Sequence, residues 1–295
     1  MILKWQRILW KMKTIMFHYV KDNFDYFHYD LKKFDKLICY LSSKYNIVSY
    51  EDLKNKNIFE MDDSNILLTF DDGTIDHYEN VYPILKKYNC SGLFFISDCI
   101  FTGNVLDIQL IHQILSKQKI EILYDELIEI LKKYNYDMKN IDLINTLDNQ
   151  KMAFFKQILQ YIIPSNIKNK ILDYFCEKYD ISNKVEDYYI SREKMLEMKS
   201  NGMFFGVHTC SHPRLSKLSY EKQKTEIEKN MNNLFKNKLI DFDCICIAYP
   251  FGDYDKQTLR ILKELGIKYG FITDNSLISN NEYKINRIDC NKLEV

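Results

Sequence analysis

The stretch Ile66-Leu-Leu-Thr-Phe-Asp-Asp-Gly73 decides the fold: an apolar, β-like run ends in two adjacent carboxylates and a glycine. In a parallel α/β fold the C-terminal ends of the strands face the mouth where ligands bind, so a charged pair there is placed for chemistry. Outward from it, short apolar runs alternate with longer amphipathic ones. Residues 14–20 are followed by 31–45, and 66–70 by 79–88 and 92–96; later, 204–208 precedes 220–237, and 244–248 precedes 256–265 and 269–272. That alternation predicts an α/β class with parallel strands covered by helices. Between residues 105 and 188 the spacing changes. Ile108, Ile111 and Leu115, then Met152, Phe155, Ile158, Leu159 and Ile162, recur at helical intervals until Pro164. The expectation is one domain over 1–295 with a helical insertion over 105–188.

Composition narrows the function classes. The 295 residues carry 41 Lys+Arg against 41 Asp+Glu, which disfavours a basic nucleic-acid binder and an acidic tail protein alike. With 46% hydrophobic residues the chain has the material for a sizeable core. Eight cysteines occur without a C-x-x-C pair, so neither a zinc knuckle nor a redox dithiol is read, and all are expected reduced. The opening residues are interrupted by Lys4, Arg7, Lys11 and Lys13 and offer no secretory signal. No run reaches the ~18 apolar residues of a membrane span. The expected compartment is the cytoplasm. Trp5, Ile8, Leu9 and Met12 keep helical spacing among basic residues, which raises weak docking of residues 1–12 on an anionic inner-membrane surface; packing on the protein's own body is the commoner fate of such a face.

Three strand ends carry the chemistry. Asp71-Asp72 terminates an apolar run, whereas Asp62-Asp63 sits in polar surroundings and reads as a solvated turn. Adjacent carboxylates suit a division of labour in which one holds a metal and the other takes a proton from water. His208-Thr-Cys-Ser-His212 follows the apolar run 203–207, and histidines four apart present two imidazoles to one ion. With six histidines in the chain, chance gives only roughly 0.12 such pairs. Asp72, His208 and His212 thus form a candidate two-histidine, one-carboxylate site. The third end, Ala248-Tyr-Pro-Phe-Gly-Asp253, has Pro250 to fix and Gly252 to free the backbone, so that its N–H groups and aromatic faces can be aimed into the mouth.

At these segments the sequence resembles the polysaccharide deacetylases of the NodB-homology group, carbohydrate esterase family 4. Thr69-Phe-Asp-Asp-Gly73, His208-Thr-Cys-Ser-His212 and Ala248-Tyr-Pro-Phe-Gly252 are similar to its first, second and third motifs, the last in the form found in the poly-N-acetylglucosamine branch. The resemblance implies a distorted (β/α)7-type barrel. It makes Asp71 the general base, and Asp72, His208 and His212 the ligands of one divalent metal, zinc first, with cobalt, manganese or iron as alternatives. Thr209, Tyr249, Pro250, Phe251 and Gly252 are expected against the substrate, with the Tyr249 N–H facing the oxyanion. Two features depart from the family. Ala248 stands where many members have an arginine, and no histidine follows His212 to serve as C-terminal general acid. His18, in Met16-Phe-His-Tyr-Val20, resembles the histidine near the start of the poly-N-acetylglucosamine branch and is the candidate acid. Arg287 reads as a surface arginine, its alternative being to replace the missing arginine beside Asp71.

The implied reaction is metal-assisted hydrolysis of an N-acyl group, N-acetyl first, on a sugar. Given the expected compartment, the substrate is an N-acylated sugar, nucleotide sugar or lipid-linked glycan, with no nucleic acid partner. The alternatives are a deformylase of a formamido sugar, a non-haem iron oxygenase on a double-sheet β fold, and a non-catalytic carbohydrate-binding relative.

Overall fold

The computed structural model describes residues 12–22, 24, 26, 28–136, 141, 143, 149–273 and 281–293. Trp5 and Trp10, and with them most of the segment read as a membrane contact, lie outside the described residues. No helix among the described residues is long and apolar enough to cross a membrane.

Among the described residues nine strands form one sheet: β1 Lys13–Phe17, β2 Asn46–Ile47, β3 Asn65–Phe70, β4 Leu93–Ile96, β5 Phe204–Val207, β6 Cys246–Ala248, β7 Tyr269–Ile272, β8 Ile285–Asn286 and β9 Ile288–Asp289. Their order is β8-β7-β6-β5-β4-β3-β1-β9, with β2 on β3, and every pairing is parallel. The two ends of this order, β8 and β9, are consecutive in sequence and separated by Arg287 alone. One short stretch therefore pairs with β7 on one side and β1 on the other and closes the sheet into a barrel flanked by helices. The parallel arrangement removes the oxygenase alternative, which required a double-sheet β fold.

Strand periodicity divides the side chains between two cores. Leu67, Leu93, Phe95, Phe204, Cys246, Ala248, Tyr269, Phe271 and Ile285 pack together inside the barrel. Their neighbours Ile15, Phe17, Ile66, Leu68, Phe70, Phe94, Ile96, Val207, Ile247 and Ile272 form the larger core with Phe34, Leu37, Ile227 and Ile261 from the covering helices. Continuing this alternation past the strand ends places Asp71, Ser97, His208 and Arg287 on the inner face. Tyr249 falls on the outer one.

The chain divides into two compact units, one of residues 1–22, 28–102 and 189–295, the other of 23–27 and 103–188. The second takes in a short early segment besides the stretch expected as an insertion. Its helices Asp107–Lys117, Ile120–Lys133, Gln150–Gln157 and Ser165–Lys178 bury Ile111, Leu123, Leu127, Phe155 and Phe175 in a core of their own.

Candidate active site

Register brings the motifs together at the C-terminal rim of the barrel. Phe17 pairs with Phe70, so His18 emerges beside Asp71; Ile96 pairs with Val207, so Ser97 stands beside His208; and Val207 pairs with Ile247, which sets His208 beside Ala248. The backbone pays for this placement in strain. Among the described residues, eight non-glycine residues have positive φ, of which Asn89, Asn135, Asp180 and Lys238 follow helix C-caps, where a left-handed residue is ordinary. The other four are Asp72 (φ 76°), Thr209 (65°), His212 (56°) and Phe251 (58°), all in the three motifs. Such conformations persist where surrounding structure over-determines them, and they cluster at functional sites.

Asp72, His208 and His212 are the only grouping of three or more histidine, cysteine or acidic side chains among the described residues whose ligand atoms lie within 4.8 Å of one another. Asp72 Oδ1 stands 3.4 Å from His208 Nε2 and 3.5 Å from His212 Nε2. These distances exceed ordinary hydrogen bonds and match the ~3.4 Å edge of a tetrahedron whose corners lie ~2.1 Å from a central ion. His208 Nδ1 lies 2.9 Å from the Ala248 carbonyl. Because a carbonyl only accepts, Nδ1 carries the proton and Nε2 presents its lone pair to the cluster. The residues fit a divalent metal.

Charge balance points the same way. Burial would raise the Asp72 carboxyl, but the facing imidazoles of His208 and His212, with His18 beyond them, hold it far below the usual carboxylate range. Burial opposes a charge on His208, yet the facing carboxylates of Asp72 and Asp71 raise it above the ordinary imidazole value. His212 is driven down to about 4 by burial, with the field of Asp72 too weak to offset it against His208. The carboxylates call for cationic charge between the imidazoles, which either a proton or a divalent ion supplies.

Asp71 is 2% exposed and held by the stretch between β8 and β9 that closes the barrel. Arg287 Nη1 and Nη2 donate to its two oxygens at 2.6 and 2.7 Å, a bidentate pair, while Nε donates to the Ile272 carbonyl and the guanidinium lies 5.5 Å from the Phe95 ring centre. Arg287 is 1% exposed, which corrects its reading as a surface residue. Burial by itself would raise Asp71; the Arg287 charge, with His208 and His18, more than offsets it and keeps the carboxyl low. His18 Nε2 lies 3.8 Å from Asp71 Oδ2, and its side chain is 45% exposed toward the mouth.

The third motif is placed differently from expectation. Tyr249 is fully buried on the outer face, its hydroxyl donating to the Tyr283 carbonyl and its N–H to the Phe271 carbonyl at 3.2 Å. Its side chain and its N–H are thus both engaged, and the expected substrate contact and oxyanion donor are not offered in this arrangement. Pro250 is buried as well. Gly252 (φ 64°) closes the turn where a Cβ would stand 2.2 Å from Thr273 Oγ1. Phe251 stays partly exposed, its ring 4.7 Å from that of His212 and under the Arg214 guanidinium. Thr209 is fully buried, with no hydrogen-bond partner for its hydroxyl among the described residues.

Sequence reasoning missed the supports of the histidine loop. Asn230, on helix Tyr220–Lys236, accepts from the His208 N–H at 2.9 Å and donates to Asp98 at 2.8 Å; Ser97 Oγ donates to the His208 carbonyl. One turn earlier on that helix, Glu226 accepts from the N–H groups of Cys210 and Ser211 and from the Ser211 hydroxyl. The i, i+4 spacing of Glu226 and Asn230 is the signal that could have pointed to them.

The family model described as "Polysaccharide deacetylase" matches residues 60–138 and 143–270. The chain belongs to the polysaccharide deacetylase family. Among its relatives, the poly-beta-1,6-N-acetyl-D-glucosamine N-deacetylase of Staphylococcus aureus (strain MRSA252) is 25% identical over 228 residues, covering 76% of this chain and 53% of its own. The chain spans about half the length of this relative and of the "Putative polysaccharide deacetylase YxkH" of Bacillus subtilis (strain 168), to which it is 21% identical over 225 residues. Of solved structures, the Streptococcus pyogenes deacetylase PplD in complex with acetate superposes with a TM-score of 0.58 at 21% identity, over 95% of this chain and 92% of that one. IcaB from Ammonifex degensii gives 0.56 at 14% identity, over 95% and 91%. These structures share the barrel fold.

Proposed function

We propose that the protein is a metal-dependent carbohydrate N-deacetylase acting on an N-acetylated glycan. The observation that carries this reading is the buried Asp71–Arg287 pair set directly beside the Asp72, His208 and His212 cluster. Asp72, His208 and His212 would hold the divalent ion, zinc first, whose chemistry there is polarisation of the acyl carbonyl and activation of water. Asp71, kept ionised and oriented by Arg287, accepts the proton of the attacking water on a lone pair that the guanidinium leaves open. His18 lies at the open edge of the site and hands a proton to the departing amine, which leaves poorly without one. An N-acetylated glycan is supported by family membership and by the names of the staphylococcal relatives. A nucleotide sugar and a lipid-linked glycan stay within the same proposal, since each presents an acetamido group to the same site.

The test is acetate and formate release from a panel of N-acetylated and N-formylated sugars and oligosaccharides, with metal analysis and chelation. Acetate release that chelator abolishes and zinc or cobalt restores is the expected result. Formate alone would move the assignment to a deformylase. No turnover by chelator-treated and metal-reloaded protein, with glycan still bound, would favour the binding relative.

A further inference from the structure

The side chains that tie down the segment carrying His18 come from one turn. β1 ends at Phe17, and the next three residues leave the sheet. Asp76 Oδ2 accepts from the Val20 N–H at 2.7 Å, His77 Nε2 meets the His18 carbonyl at 2.6 Å, and Asn80 Nδ2 donates to the Val20 carbonyl at 2.8 Å. The carbonyl can only accept, so His77 bears its proton on Nε2. Tyr19 and Lys21 are tied separately by backbone bonds to Tyr29. Thus three side chains from one turn, beginning three residues after the Asp71-Asp72-Gly73 motif, fix both ends of His18-Tyr19-Val20.

The turn is built for this. Residues His77–Val81 form a π-helical turn, with the Tyr82 N–H reaching back to the His77 carbonyl, before helix Tyr82–Lys87. Pro83 explains the widening, because in an α-helix its ring would strike the carbonyl four residues back and its missing N–H would leave that carbonyl unbonded. Asp76 and His77 are buried, and His77 packs edge-on against Phe70, the residue before Asp71. Since β3 leads through Asp71 directly into this turn, the base and the support of the acid belong to one rigid piece.

We propose that Asp76, His77 and Asn80 are positioning residues that hold His18 at its working distance from Asp71 and from the leaving amine. The inference rests on the deacetylase reading, in which His18 protonates the amine. A displacement of about 1 Å at such a group can cost ~10²-fold in rate.

The test uses the full chain, two substrates and a double-mutant cycle. An N-acetylglucosamine oligomer needs its leaving nitrogen protonated; 4-nitrophenyl acetate loses a phenolate that does not. Asn80→Leu and His77→Leu are expected to lower kcat on the oligomer by about 10–100-fold with KM within about threefold, and to spare the aryl ester within about threefold. His77→Gln, which keeps an N–H donor, should recover most of the loss. In a His18→Asn background, Asn80→Leu should add no further loss on the oligomer, because the group it positions is gone. Asn80 is half-buried, so its variant keeps the test available should His77→Leu not fold. Equal losses on both substrates, additive losses in the cycle, or no loss at all would overturn the proposal. A wild-type protein that turns over neither substrate would instead overturn the deacetylase reading on which it stands.

Discussion

At the scale of single residues, Arg287 replaces from another strand what Ala248 lacks. Ala248 lies on the inner face with Phe95 and Phe271, where its small side chain belongs to the apolar filling of the barrel, while the guanidinium arrives from the seam. Arg287→Met keeps the bulk and removes the charge. A buried carboxylate left without its partner costs about 3–5 kcal/mol, so the variant should melt well below wild type. Because Asp71 must be ionised to serve as the proposed base, loss of the charge that lowers it should shift the acid limb of the rate profile to higher pH and cut kcat/KM by about 10²-fold or more. The sign for stability follows from linkage. The Asp71 carboxyl is lowered in the folded protein, so the pair stabilises fully above the unfolded value of about 3.9 and loses that contribution as pH falls through the lower folded value. Urea melts from pH 7 down to pH 3 should therefore show a steeper acid decline for wild type than for Arg287→Met. Equal slopes and an unmoved acid limb would mean that the pair does not tune Asp71.

At the scale of elements, helix Tyr220–Lys236 acts as a splint for the histidine loop. Glu226 and Asn230 take up N–H groups of residues 208, 210 and 211, which lets Thr209 and His212 keep their left-handed backbones. Asn230→Ala removes the acceptor for the His208 N–H and a donor to buried Asp98. Loss of outer supports of a metal-ligating histidine typically weakens metal binding by about 10–100-fold, and that is the expected change in a competitive zinc titration. Unchanged affinity would limit Asn230 to a structural role. Strand ends and metal-type residues were legible in the sequence because apolar runs stop abruptly at Asp71, His208 and Tyr249. What periodicity could not give was facing. Tyr249 follows the parity of Ile247 rather than that of Ala248, so the side chain read as a substrate contact turns into the outer core. Gly270 makes room for it, since a Cβ there would stand 2.3 Å from the Tyr249 hydroxyl.

At the scale of the molecule, the barrel depends on its last and least legible strand. Residues 285–289 carry an asparagine, an arginine and an aspartate beside two isoleucines, too short and too polar for an apolar-run criterion, yet they pair with β7 through Ile285 and Asn286 and with β1 through Ile288 and Asp289. Burying Arg287 requires the bidentate acceptor that Asp71 supplies, and keeping Asp71 ionised requires Arg287; closure of the barrel and readiness of the site are therefore one event. A chain ending at Lys284 should show this. It leaves the facing edges of β1 and β7 without partners, opens the interior around Phe95 and Phe271 to water, and strands Asp71 uncompensated. The expected result is loss of the cooperative thermal transition of the barrel, with dye binding to exposed apolar surface, while the helices of residues 103–188, packed around Phe155 and Phe175, keep part of the far-ultraviolet signal. Arg287→Met, which keeps the strand, should still melt cooperatively. Retention of a wild-type transition by the shortened chain would show that the barrel holds without its seam, and that Arg287 serves the chemistry alone.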